Sequence, residues 1–339
     1  MTRRIAWAVV FALAIGMAAA PLPDTIVERW YSNGLFPVIQ RRLTPLSNLA
    51  PFALFDVLWI GAVAAVAILC RRRILASGWT RGALRILSAM LCAAALTYLA
   101  FLAMWGLNYR RVPLVDKVVF DPDRVTREAS MALGDWAVSE LNARYADAHA
   151  GPMSLDALQR AFDEVQRVLG GRPVVFGRPK QTLLGWYFHK AAIAGMTDPF
   201  LLETLVAPDL IDVERPFVIA HEWAHLAGYA DESEANFVAY LTCRRGEPMA
   251  RYSVALMMLG YAGSRRSMAS ALDIGPKTDL FTIQTRYART SGVLRFAARE
   301  SYDRYLKANR VEKGVESYDA VVQLILGTVV DSQGNPRLR

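Results

Sequence analysis

Residues 86–107 run for 22 positions without a charged side chain. A helix of that length crosses a hydrocarbon layer of ~30 Å, and it is longer than a buried core helix usually needs to be. Two further apolar runs lie upstream, at 5–23 and 52–70, and the second has Asp56 as its only charge. The sequence thus predicts three N-terminal transmembrane helices, at about 5–23, 52–70 and 86–107, making a membrane region 1–107. One extramembrane domain, 108–339, should follow. The first run has a rival reading, because Arg3, Arg4 and Ala18-Ala19-Ala20 around it also resemble a secretory signal peptide. Pro21 directly after the small residues disfavours cleavage, so a retained helix is expected. Asp56 reads either as an intramembrane carboxylate or as a group at the outer interface, and the second costs less.

The arginines set the expected orientation. The chain carries 39 Lys+Arg against 31 Asp+Glu, a formal charge of +8. Ten basic and three acidic residues lie in 1–106, against 29 and 28 in 107–339. The excess therefore belongs to the membrane flanks, which excludes a nucleic-acid surface on the larger region. Arg3 and Arg4 precede the first run, and Arg71, Arg72, Arg73, Arg81 and Arg85 crowd the loop between the second and third. The loop between the first two runs has only Arg29, Arg41 and Arg42. The positive-inside rule places the N-terminus in the cytoplasm and region 108–339 outside it. Cys70, Cys92 and Cys243 make no disulfide framework.

Helical periodicity is read at 123–145, 154–169, 214–228, 231–245, 247–262, 293–308 and 316–329. Short strands are read at 173–176, 182–187, 191–194 and 200–206. Pro199 and Pro208 bracket the last of these, as at a sheet edge where a peptide could be laid. Helices, a small sheet, then helices make an α+β domain.

Two of the four histidines fall in His221-Glu222-Trp223-Ala224-His225. At i and i+4 on a helix both rings can reach one metal, and Glu222 can take a proton from a water there. Gly228 should stop this helix in left-handed geometry. A catalytic zinc site needs a third protein ligand. The next helix offers Asp231, Glu232 and Glu234. Asp231 suits the N-cap and Glu234 a capping box, which leaves Glu232 for the metal. Glu234 and Asp231 stay as alternatives, and Asn236 is read as orienting a ligand. His189, Tyr240, Tyr252 and Tyr318 are candidate oxyanion donors.

The segments HEWAHLAGYADESEANFVAYLTC, WYSNGLFPVIQRRLTPLSN, FLAMWGLNYRRVPL and YLKANRVEKGVESYDAVVQLIL together resemble the bacterial membrane proteins grouped as domain of unknown function 3810. The resemblance implies a few N-terminal spans in the plasma (inner) membrane, then a zincin-like domain of gluzincin type. In such domains an ExxxD or ExxxN helix completes a Zn2+ site, and the pattern falls here on Glu232 and Asn236. The function expected is a membrane-anchored zinc metallopeptidase acting on peptide or protein outside the cytoplasm. The alternative is a non-catalytic, zinc-stabilised sensor or scaffold. Proteolysis inside the bilayer is disfavoured by the charges of 214–245.

Overall fold

The computed structural model describes residues 2–261, 270–309 and 320–339. The chain is mainly helical with one three-stranded sheet. Two helices, Leu54–Ala76 and Arg81–Met104, are long and apolar enough to cross a membrane. They form a hairpin. A Cβ on Gly82 would lie 3.0 Å from the Arg73 carbonyl oxygen, whereas nine residues of straight helix span ~13 Å. Both open ends of the hairpin therefore meet the same extramembrane structure. The spans expected at 52–70 and 86–107 correspond to these two helices.

The N-terminal run behaves differently. Its helix, Thr2–Ala19, ends before Pro21 and Pro23, which cannot continue the hydrogen-bond ladder. Ile5–Ala19 counts as a third span only together with Asp24–Asn48, which bends away by 112°. Asp24–Asn48 packs on the extramembrane domain. Gln40 bonds both the N–H and the C=O of Val175, at 3.1 and 2.5 Å. Asn48 does the same for the Arg178 N–H and the Phe176 C=O. Two side chains thus stand in for a neighbouring strand, and segment 173–176, expected as a strand, stays extended without a ladder.

The sheet order is β1 (Pro179–Lys180), β3 (Thr204–Val206), β2 (Gly195–Thr197). β1 is parallel and β2 antiparallel to β3. The segment expected as an edge, 200–206, therefore supplies the central strand. Its bracketing prolines lie outside the three paired residues and remove no ladder donor. The edge beside the histidine helix is β2, which begins just after the 191–194 segment expected as a strand. Segment 182–187 turns instead into the helix Gly185–Ala191.

Five helices carry the domain core: Arg127–Ala148, Leu155–Val168, Arg215–Leu226, Glu232–Arg245 and Pro248–Tyr261. Trp223 is fully buried, its ring 4.6 Å from Phe176 and its Nε1 bonded to the Gly177 carbonyl at 2.9 Å. Truncating such a side chain costs about 3–5 kcal/mol. Trp223 therefore anchors the side of its helix away from the histidines.

Asp56 is buried in the first turn of Leu54–Ala76, at the end of that helix that packs against the sheet region. It accepts from Thr182 Oγ1 at 2.5 Å and the Leu183 N–H at 2.9 Å. Glu203 caps the same helix by accepting from the Leu54 and Phe55 N–H groups at 3.1 and 2.8 Å. Lys180 Nζ pairs with Glu203 at 2.5 Å and donates to the Ser47 carbonyl, all out of water. Lys180→Met is expected to destabilise the full chain by about 3–5 kcal/mol, because it leaves a buried carboxylate without its cation. Thermal unfolding in detergent, followed by circular dichroism, checks this; an unchanged midpoint would contradict it.

Candidate metal centre

The helix Arg215–Leu226 places His221 and His225 one turn apart. Their Nε2 atoms are 3.1 Å apart. Gly228 takes φ +87° and ends the helix, as read from the sequence. The Gly228 and Tyr229 N–H groups close onto the His225 and Ala224 carbonyls, both at 3.0 Å. This reversal returns the Tyr229 carbonyl to His225 Nδ1 at 2.7 Å, fixing the ring so that Nε2 faces the site.

Asp231 then caps the next helix, accepting from the Ser233 and Glu234 N–H groups. The first residue of that helix is Glu232, with Oε2 3.2 Å from His221 Nε2 and Oε1 3.6 Å from His225 Nε2. The donors of His221, His225 and Glu232 all lie within 4.8 Å of one another, so the group could bind a metal. Two ligands at ~2.0–2.1 Å from a tetrahedral ion lie about 3.3 Å apart. The separations of 3.1 and 3.2 Å match that spacing. Glu232 Oε2 is buried with His221 Nε2 3.2 Å away but no aligned hydrogen bond, and a cation between these atoms would satisfy both.

Charge follows geometry. Burial opposes ionisation of Glu232, but His225 and His221 outweigh it and hold the carboxyl well below its usual range. Burial also opposes the His225 cation, yet Glu232 brings that ring up to about 9. Metal binding requires loss of that proton. Glu222 lies beside this cluster. Burial pushes its carboxyl up, against the pull of His221, His225 and a hydrogen bond from Thr197. Thr197 Oγ1, on β2, reaches Glu222 Oε2 at 2.8 Å. β2 can approach this closely because residue 195 is glycine: a Cβ there would come 2.6 Å from Glu222 Oε1 and 2.9 Å from Val218.

Glu234, the first alternative ligand, points elsewhere. It accepts from the Leu114 N–H at 2.5 Å rather than closing a capping box, and burial raises it to about 7. Asp231 is occupied by its cap. Asn236 is buried one turn beyond Glu232 with Nδ2 unpartnered, and among the described residues it makes no hydrogen bond to His221, His225 or Glu232. The orienting role read for it is not what the structure places there.

That position is taken by Tyr302, on the helix Gly292–Ala308, whose hydroxyl donates to Glu232 Oε1. No spacing rule links residue 302 to 232, so the sequence carried no signal for it. The expected oxyanion candidates are engaged elsewhere. His189 pairs with Asp209 at 2.6 Å, Tyr240 accepts from Arg244, and Tyr252 donates to Asp279. Tyr318 lies outside the described residues. Two contacts tie the centre to the membrane side. Trp105 donates to the His225 carbonyl at 3.0 Å, and Arg111 links the Gly228 carbonyl to Glu28.

Residues 31–326 match a family model described as a protein of unknown function, DUF3810. The chain belongs to this family. The match includes the juxtamembrane segment, the HEWAH helix and the Tyr302 helix. No curated protein and no solved structure matches the chain.

Proposed function

We propose that this DUF3810 protein is a membrane-anchored, zinc-dependent metallopeptidase with a gluzincin-type site. The convergence of His221, His225 and Glu232 on one point, with Glu222 beside it, carries the reading. His221, His225 and Glu232 would hold the ion; their two imidazoles and one carboxylate suit Zn2+ with one position left open. Bound there, zinc supplies Lewis acidity and lowers the pKa of water towards ~7.

The chain's own residues do the rest. Glu222 accepts the proton of the attacking water and returns it to the leaving amine. Thr197 holds one carboxylate oxygen, leaving Oε1 for the proton. β2 is the sheet edge next to Glu222, and an extended peptide could pair with its backbone. Tyr302 holds Glu232 through the hydrogen bond from its hydroxyl. Tyr302→Phe is expected to weaken metal binding about 10–100-fold, as loss of a supporting hydrogen bond does. Competition with a chelator of known affinity measures it; unchanged affinity would remove Tyr302 from this role.

The domain would work outside the cytoplasm, on peptide or protein, from the bacterial plasma membrane. A periplasm-dependent reporter fused after Arg339 should be active, and a cytoplasm-dependent one silent. The opposite pattern reverses the topology. The direct test of function is metal content and release of new peptide termini by the purified full chain, since Asp24–Asn48 and the hairpin ends are packed into the domain.

A further inference from the structure

Among the exposed aromatic side chains outside the helices Leu54–Ala76 and Arg81–Met104 are Trp30, Trp186 and Phe296, at 68%, 68% and 70% exposure. Each element is fastened to the outer end of a spanning helix. Next to Trp30, the Tyr31 hydroxyl donates to the Ala103 carbonyl at 3.1 Å, in the last turn of Arg81–Met104. Just before Trp186, Thr182 and Leu183 bond Asp56, in the first turn of Leu54–Ala76. The helix of Phe296 carries Tyr305, whose ring lies 5.9 Å from that of Phe101, again near the end of Arg81–Met104. Exposed Leu183 and Val293 accompany Trp186 and Phe296. Apolar surface of this kind gains by leaving water.

We propose that Trp30, Trp186 and Phe296 form an interfacial belt that seats the extramembrane domain in the headgroup layer where the hairpin ends. Trp and aromatic rings concentrate at that depth, where one side is apolar and the other wet. The occupant of this surface is the bilayer itself, because all three attachments continue helices whose apolar side chains the protein leaves uncovered. Charge agrees: the Arg29 guanidinium lies over the Trp30 ring, 5.3 Å from its centre, as a cation reaching lipid phosphate would. Trp105 donates to the His225 carbonyl from one residue past the same helix end, so the metal-ligand cluster is held close to the membrane surface. The belt stands whether or not the cluster is catalytic.

The test uses the full chain in phosphatidylcholine vesicles with plain or 6,7-dibrominated acyl chains. Subtracting the fluorescence of a Trp30→Phe/Trp186→Phe variant from that of the wild type isolates these two indoles. Both positions are exposed, so the variant should fold. Brominated lipid should quench the difference signal and aqueous iodide should not. Adding Phe296→Trp to the double variant should create a new signal with the same response. Quenching by iodide alone overturns the belt by placing the rings in water. Insensitivity to both overturns it by burying them against protein, such as a second copy.

Discussion

Glu232→Ala is expected to lower the zinc content of the purified full-length chain from about one ion to a small fraction of that. Two histidines on one helix give a bidentate site without charge compensation. Glu232 supplies both the third donor and the negative charge, already ionised because His225 and His221 hold its carboxyl far down. Loss of a direct ligand should exceed the ~10–100-fold cost of losing a supporting hydrogen bond. Glu234→Ala and Asp231→Ala should retain metal, since Glu234 holds the Leu114 N–H and Asp231 caps a helix. Elemental analysis after dialysis separates the three. Full retention in Glu232→Ala would end the ligand assignment. Retention in the wild type should also decline as pH falls, because both imidazoles must be neutral to ligate.

Glu222→Gln should cut peptide hydrolysis by about 10²–10⁴-fold while leaving metal content unchanged. The substitution keeps shape and the hydrogen bond from Thr197 but cannot accept a proton. Glu222 is no member of the three-donor group, so metal retention separates its role from theirs. The readout is the appearance of new amino termini from a mixed peptide substrate, with metal measured on the same sample. A wild type that binds metal yet shows no hydrolysis would favour the scaffold reading. A Glu222→Gln variant as active as the wild type would remove Glu222 as the base.

Much of the site was legible because its parts are local. The pattern His221, Glu222, His225 needs only helical periodicity, and Gly228 needs only the left-handed end of that helix. Asp231 as N-cap freed Glu232 by elimination, although the capping box behind that argument did not form. The parts set by distant segments were not legible. Tyr302 reaches Glu232 across seventy positions, and Glu234 is claimed by the Leu114 N–H. The strand order failed for a related reason. Prolines at 199 and 208 suggested an edge, but a three-residue ladder ends before either, so they say nothing about what pairs on each side.

By itself, the sequence marked three apolar runs, and two of them are helices long and apolar enough to cross a membrane. It also determined that one short helix presents two imidazoles and a carboxylate. Both follow from periodicity and composition, which need no knowledge of neighbours. Only the tertiary structure decided that Asp56 and Glu203 lock the start of Leu54–Ala76 to the segments around the sheet. It alone brought Trp105 beneath His225 and Tyr302 onto Glu232. These contacts depend on which buried polar groups meet, and most such groups are hydrogen-bonded in a folded chain. That pairing is a property of the whole packed chain, and no single segment encodes it.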